Sequence, residues 1–208
     1  MKQSFTALAA PPPFAYSGKV PASLDKTALR VRLRGLRRRL AAEVPDAAER
    51  AAARLPLERL PPFETFAIYH PTGTELDPRP LMARLIETGG LPALPVAFHR
   101  EAILEFRLWD PREGLEPDAF GIPAPPLWAD AASPDLVVAP VLGFDRRGHR
   151  LGQGAGHYDR TIENLRAAQP VFVLGLAYSG QEVAELPAEP HDQRLDAILT
   201  ETDYIEVG

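Results

Sequence analysis

Residues 135–160 read DLVVAPVLGFDRRGHRLGQGAGHYDR, and their order decides the fold class. Leu136-Val137-Val138-Ala139, closed by Pro140, is a short apolar run rich in β-branched residues. That is the pattern of a strand whose sheet is covered by helices on both faces. A charged loop with Asp145, Arg146, Arg147 and Arg150 follows, and then Gly152-Gln153-Gly154-Ala155-Gly156. Glycines on alternate positions permit positive φ and let a ligand come close to the main chain. After Gly156 the composition turns helical, with Tyr158, Ile162 and Leu165 on one face. Strand, glycine-rich loop and helix start thus follow one another, and the free N–H groups of a helix start favour an anion. On these residues alone the loop reads either as a tight turn before a helix or as a phosphate cradle. No Gly-Lys-Ser/Thr closes it, and its glycine spacing is not the dinucleotide fingerprint. Asp159 likewise reads either as a first-turn acid matched to the helix dipole or as a Mg²⁺ ligand at the cradle's mouth.

Outward from this stretch, strands and helices alternate. Ser23 and Asp25 offer N-caps for a helix running to about Glu43, with Leu29, Leu33, Leu36 and Leu40 on its apolar face. Its many arginines read mainly as a solvated face. Lys26 and Arg30 differ, being one turn apart near the helix start and able to grip one anion together. A second helix is expected over residues 46–54, ending before Pro56. TFAIYH, residues 65–70, reads as the first core strand, and the loop after it carries Glu75 and Asp77, the latter placed as a helix cap. A helix follows over residues 80–88, with Leu81, Leu85 and Ile86 inward and Gly89-Gly90 as its stop. Residues 94–98 and 103–109 read as a strand pair, with His99 exposed in the turn between them. A long loop over 110–126 ends in the phrase FGIPAP and has the makings of a site wall. Trp109 and Trp128 read as core or wall residues. Beyond the central segment lie a buried strand at 171–178, a short helical turn at 181–185, and a last strand at 197–200. Alternation of this kind indicates an α/β layered structure with a mainly parallel sheet flanked by helices.

Composition narrows the function. With 208 residues, 45% of them hydrophobic, the chain can bury a core as one domain, 23–208. Residues 1–22, with Pro11-Pro12-Pro13 and Pro21, read as a flexible leader. A net charge of −5 argues against a general nucleic-acid binder. The Arg-rich helix also lacks the interleaved aromatics that stack on bases. The absence of cysteine excludes a disulfide framework and suits a reducing cytoplasm. No apolar run approaches transmembrane length, and MKQSFTALAA makes a poor signal peptide, so no membrane partner is expected.

Pro140, Gly143-Phe144-Asp145, Gly148, Arg150-Leu151-Gly152, Gly154, Gly156 and Tyr158-Asp159 together resemble the signature of the 5-formyltetrahydrofolate cyclo-ligase family. KTALR, residues 26–30, the Glu75-Leu76-Asp77 step and FGIPAP are similar to further elements of that family. The resemblance spans about residues 26–200 and departs at Gln153 and at His157, where another aromatic is the family's habit. It implies a fold of the NagB/RpiA/CoA-transferase-like kind and a cytoplasmic enzyme, a monomer or small homo-oligomer. The implied reaction is ATP- and Mg²⁺-dependent cyclisation of 5-formyltetrahydrofolate, with or without a polyglutamate tail, to 5,10-methenyltetrahydrofolate, ADP and phosphate. Implied ATP contacts are Lys26, Arg30, Arg150, Leu151, Gly152, Gln153, Gly154, Ala155, Gly156, His157 and Tyr158. Implied folate contacts are His70, Glu75, Gln153, Gly154, Ala155, Gly156 and His157. Asp159 and Asp192 are implied to hold Mg²⁺, and Arg150, Tyr158 and Asp159 to act in catalysis. Glu75 suits a pterin ring, because its two oxygens can accept an amino group and a neighbouring amide N–H side by side. The rival reading is a non-catalytic nucleotide- or folate-binding module that keeps the fold.

Overall fold

The computed structural model describes residues 25–208; the expected leader, 1–22, lies outside the described residues. Helix α1, Lys26–Glu43, starts where Asp25 accepts a hydrogen bond from the Thr27 N–H. Helix α2, Ala47–Arg54, leads to strand β1, Thr65–Ala67, and helix α3, Arg79–Glu87. Strands β2, Leu91–Val96, and β3, Glu105–Leu108, form the expected pair, running antiparallel. Short strands β4, Glu116–Pro117, and β5, Pro123–Ala124, make a hairpin inside what the sequence suggests is a plain loop. Strand β6, Ala131–Ala132, precedes the central β7, Leu136–Pro140. The charged loop after β7 is also a hairpin, of β8, Gly143–Phe144, and β9, Arg150–Leu151. Helix α4, His157–Ala168, then leads to β10, Phe172–Leu176, to β11, Ala197–Leu199, and to β12, Tyr204–Glu206.

Eight strands form one sheet in the order β12-β11-β10-β7-β1-β2-β3-β6. The central five run parallel, and β12, β3 and β6 are antiparallel additions at the two edges. The fold class is therefore α/β and mainly parallel, as the alternation of elements indicates. β11 is not the last strand. A turn at Thr200–Asp203, closed by the Thr200 N–H on the Asp203 carbonyl, sends the chain back as β12. Three residues with one buried side chain leave too faint a pattern to read as a strand.

Alternate residues of β7 divide the core. Leu136 and Val138 face α2 and α3, whereas Val137 and Ala139 face the side covered by Ile162 and Leu165 of α4. Each fully buried side chain of this size contributes about 1.5–3 kcal/mol, so both layers are well anchored. Two inward expectations fail: Ile86 sits at the outer end of α3, 36% exposed, and Trp128 is 76% exposed beside the edge strand β6. Trp109 does pack against the core, as expected. The second half of α1 lies on the α2–α3 side through Leu40, Ala41 and Val44. Its first half packs Leu29 and Leu33 against Leu142 and Leu151 of the β8–β9 hairpin and its flank. A Cβ at Gly143 would come within 2.6 Å of the Leu33 Cδ1 atom, so the glycine there is what lets α1 and the hairpin close together. That contact sets the start of α1 beside the glycine-rich loop.

Candidate active site

β1 and β7 are neighbours from which the chain proceeds outward in opposite directions, so their C-terminal ends open a crevice of the kind where α/β sheets bind ligands. A cavity of about 480 Å³ lies there. It is lined by the residues just beyond β1 (Tyr69, His70), β2 (Ala97) and β7 (Val141, Leu142). Lys26, Arg30, His70, Glu75, the whole run from Arg150 to Asp159, and Asp192 all line this cavity.

At one end stands the glycine-rich loop. Gly154 and Gly156 have φ of +107° and +71°. Gly156 is the N-cap of α4 and brings no side-chain cap, so the first N–H groups of the helix stay open to a ligand. The loop's carbonyls are already taken: Arg30 Nε donates to Gly152 O (3.0 Å), Arg34 Nη2 to Gln153 O (3.3 Å) and Arg160 Nη2 to Ala155 O (3.0 Å). With these acceptors occupied, the loop meets the cavity chiefly as amide donors backed by guanidinium charge. That combination fits a polyphosphate.

The buried Arg150 guanidinium donates from Nη2 to Asp159 Oδ1 (2.8 Å) and from Nη1 to the Gln193 carbonyl. Burial pulls its pKa below the ordinary arginine value, and the Asp159 and Asp192 carboxylates pull the other way. Lys26 and Arg30 do not share a partner within the protein. Lys26 Nζ instead donates to Asp192 Oδ2 (2.7 Å) and Glu189 Oε2 (2.8 Å). Burial alone would lower the Lys26 pKa, but the hydrogen bonds to Asp192 and Glu189 outweigh it and raise it. Burial would raise Asp192, and the bonds from Lys26 and the Glu189 N–H outweigh that and lower it. Ligand atoms of Glu189, His191 and Asp192 lie within 4.8 Å of one another, and Asp159 is not in that group. Asp159, Asp192 and Glu189 are hard oxygen donors of the kind Mg²⁺ takes, whereas His191 offers a nitrogen that Mg²⁺ does not favour.

At the other end, Glu75 is 8% exposed at its side chain and held from two directions. Arg37 Nη1 donates to Oε1 at 3.3 Å, and Thr72 donates its N–H (3.0 Å) and its Oγ1 hydroxyl (3.1 Å) to Oε2. His70 presents a buried Nδ1 without a hydrogen-bond partner. Burial, helped by the Glu75 charge, pushes the Tyr158 phenol far above its ordinary value, so it is a neutral donor at any physiological pH. Asp77 accepts from the Arg79 N–H at the start of α3, although Pro78 occupies the cap position itself. The hairpin tip closes the wall. Asp118 accepts from the N–H groups of Ala97, Phe120 and Ile122, and the Phe120 ring stands 5.6 Å from the His157 ring at 59°. His99 is exposed, as expected, and its carbonyl faces His157 Nε2 at 3.3 Å.

A family model described as the 5-formyltetrahydrofolate cyclo-ligase family matches residues 22–201. The chain belongs to that family. A 5-formyltetrahydrofolate cyclo-ligase of Mycolicibacterium smegmatis is 37% identical over 143 residues, covering 65% of this chain and 73% of the relative. That of Haemophilus influenzae is 31% identical over 179 residues, covering 82% of this chain and 95% of its own. The solution structure of an Aquifex aeolicus 5,10-methenyltetrahydrofolate synthetase superposes with a TM-score of 0.71 at 26% identity, covering 88% of this chain and 92% of that one. A Mycoplasma pneumoniae synthetase structure, at 23% identity and a TM-score of 0.66, shares the fold. Membership of the cyclo-ligase family makes the chain an enzyme, a ligase. Among the described residues no helix is long and apolar enough to cross a membrane.

Several residues of this cyclo-ligase site escape a reading of the sequence. Arg34 and Arg37 read as part of a solvated face, yet Arg34 holds Gln153 and Arg37 is buried against Glu75. The signal was present in the spacing. At 3.6 residues per turn, Lys26, Arg30, Arg34 and Arg37 fall within about 80° of one another around the helix, a basic stripe beside the leucine stripe. Thr72 three residues before Glu75 is the spacing of a side-chain-closed turn. Asp118 and Glu189 carry no comparable mark, whereas Phe120 opens the FGIPAP phrase already read as a site wall and does line the cavity.

Proposed function

We propose that this chain uses Mg²⁺ and ATP to close 5-formyltetrahydrofolate to 5,10-methenyltetrahydrofolate, releasing ADP and phosphate, and that residues 23–208 are the catalytic unit, working in the cytoplasm. One observation carries the reading. A single cavity has an uncapped helix start and three basic side chains at one end, and a tethered carboxylate with an unpartnered imidazole nitrogen at the other. The first end suits a triphosphate, the second a pterin that presents two neighbouring N–H donors, and one cavity brings the two reactants within reach of each other.

A formamide oxygen is a poor leaving group. In the proposed reaction it attacks the γ-phosphorus, and ADP leaves. N10 of the same folate then attacks the activated formyl carbon, the C–O bond breaks, and phosphate departs with its oxygen while N10 gives up its proton to solvent. The protein's share is placement and charge neutralisation. The N–H groups of residues 152–156 hold the phosphates, and Lys26, Arg30 and Arg150 offset their charge. Gln153 and His157 flank the folate next to Gly154–Gly156, and His70 with Glu75 seats the pterin. Tyr158, held neutral, donates a hydrogen bond into the site. Asp159 and Asp192 are the carboxylates that would hold Mg²⁺, which when bound supplies positive charge to the phosphate oxygens. Lys26 and the Glu189 N–H both bond Asp192 Oδ2, which leaves Oδ1 as the oxygen that would meet the cation.

The test is turnover. Purified protein with 5-formyltetrahydrofolate, ATP and Mg²⁺ is expected to develop the near-UV absorbance of the methenyl product, and neither ATP nor Mg²⁺ can be left out. Folded protein that binds both substrates and forms no product would favour the rival binding module.

A further inference from the structure

Arg37 has no place in the reaction just described, yet it is among the most expensively placed side chains in the molecule. It lies on α1 just before the exposed Arg38 and Arg39, yet only 8% of its side chain is exposed. A guanidinium taken out of water costs several kcal/mol unless it is paired and hydrogen-bonded. Arg37 meets one carboxylate oxygen, Glu75 Oε1 at 3.3 Å, and its buried Nε finds no partner. Hydrophobic packing alone does not account for such an arrangement, because a leucine or methionine there would fill space without the desolvation penalty.

The geometry points to Arg37 as a positioning residue for the pterin end of the site: it lies behind the cavity wall and fixes the Glu75 carboxylate in one orientation for a ligand that offers two adjacent N–H donors. Glu75 lines the cavity and Arg37 does not. The Thr72 N–H and hydroxyl hold Oε2, and Arg37 holds Oε1. Each carboxylate oxygen carries two lone pairs, so Oε1 keeps one for the cavity, and Oε2 regains one when the Thr72 hydroxyl, a free rotor, turns to another acceptor. Two parallel acceptors on a carboxylate that cannot turn then select a 2-amino-4-oxo ring edge over one that presents an acceptor. Tyr69 and Tyr178 lie close enough to Arg37 for its charge to act on both phenols. The Tyr69 hydroxyl is itself committed to the Leu76 carbonyl, so Arg37 is the cation that balances Glu75 there.

This inference rests on the reading of Glu75 as a pterin ligand, and three variants separate the two. In Arg37→Met the folate KM is expected to rise about tenfold or more, while the ATP KM stays within about twofold and kcat within about threefold. Arg37→Lys, which keeps the charge and loses the fork, is expected to recover part of the affinity. Binding of 5-formyltetrahydrofolate without ATP, followed by titration calorimetry, should weaken in parallel. Arg37→Met leaves Glu75 buried and unpaired, so its melting temperature will fall. The double variant Arg37→Met/Glu75→Gln removes that buried charge and should regain melting temperature without regaining folate affinity. If Glu75→Gln alone leaves the folate KM unchanged, Glu75 is no ligand, and both readings fall. If Glu75→Gln raises it but Arg37→Met moves neither the folate KM nor the calorimetric affinity, or moves both KM values together, Arg37 is only structural, and this inference alone falls.

Discussion

Gly152→Ala isolates the proposed phosphate cradle from the stability of the fold. Gly152 lines the cavity, its φ is not in the left-handed region, and a Cβ built on it meets no atom within 4 Å. The backbone therefore accepts alanine without strain, and the methyl group enters open volume. Such a change stabilises a protein by about 0.4–1 kcal/mol through the unfolded chain, worth a rise of about 1–4 °C in Tm at this size. The same methyl stands where a phosphate must come close to the main chain. Loss of one hydrogen bond between a backbone N–H and a charged oxygen costs about 1.5–3 kcal/mol, which is about 10- to 150-fold in ATP affinity. The assay pairs a thermal melt with initial rates at varied ATP and saturating folate. The expected signature is a Tm equal to or above that of the parent, an ATP KM raised at least about tenfold, and a folate KM within about twofold. An unchanged ATP KM in this well-folded variant would mean that phosphates do not lie on the 152–156 backbone, and the proposed orientation of ATP would be wrong.

Asp159→Asn and Asp192→Asn should each raise the Mg²⁺ concentration needed for half-maximal rate and cost about 10²-fold or more in rate. If Asp159 serves only to pair the buried Arg150 guanidinium, its variant loses stability, because a buried cation is left without its carboxylate, and turns over normally where it stays folded, and a Mg²⁺ titration distinguishes the cases. His157→Tyr should preserve turnover, and His157→Ala should raise the folate KM more than the ATP KM; loss of kcat at unchanged KM in the tyrosine variant would instead assign His157 a proton transfer. The Lys26–Asp192 pair gives a pH prediction. The raised Lys26 contributes stability below its ordinary 10.5 and loses it as pH rises through the folded value, while the lowered Asp192 contributes above its ordinary 3.8 and loses it as pH falls through the folded value. The Tm difference between the parent and Lys26→Met should therefore be nearly flat from about pH 5 to 9 and shrink below about pH 4; a difference that collapses near neutrality would contradict the pairing.

The central strand, the glycine loop and α4 were legible because each has a local cause: a β-branched run, permitted positive φ, and a 3.6-residue apolar period. Helix α1 was legible to within a residue, since Asp25 is a strong cap and the leucines keep one face. What escaped depends on contacts distant in sequence. Arg37 is no different from Arg38 or Arg39 in composition; it is buried because β1 brings Glu75 beneath it, 38 positions further along the chain. Ile86 and Trp128 look like core residues, but Ile86 lies in the last turn of α3 one position past the buried Leu85, and Trp128 lies in the loop before the edge strand β6. Hairpins β4–β5 and β8–β9 rest on side chains closing short turns, Asp118 on Phe120 and Ile122, and Asp145 on Arg147 and His149. Such turns have no periodicity to read. Asp159 and Asp192 could be picked out individually as cavity carboxylates, but their engagement by Arg150 and Lys26 is a fact of packing.

Because a single helix carries Lys26 and Arg30 to the glycine-loop end of the cavity and Arg37 to the Glu75 end, α1 acts as a ruler. Eleven residues at 1.5 Å each set about 16 Å between its first and last cation, a length that no loop adjusts. Substitution along this span changes one contact at a time. Insertion or deletion of a single residue would turn everything beyond it by about 100°, leaving either the phosphate cations or Arg37 aimed at solvent. The segment should therefore tolerate many changes of letter but none of length. A one-residue insertion after the exposed Arg34 should abolish activity while the rest of the sheet still folds.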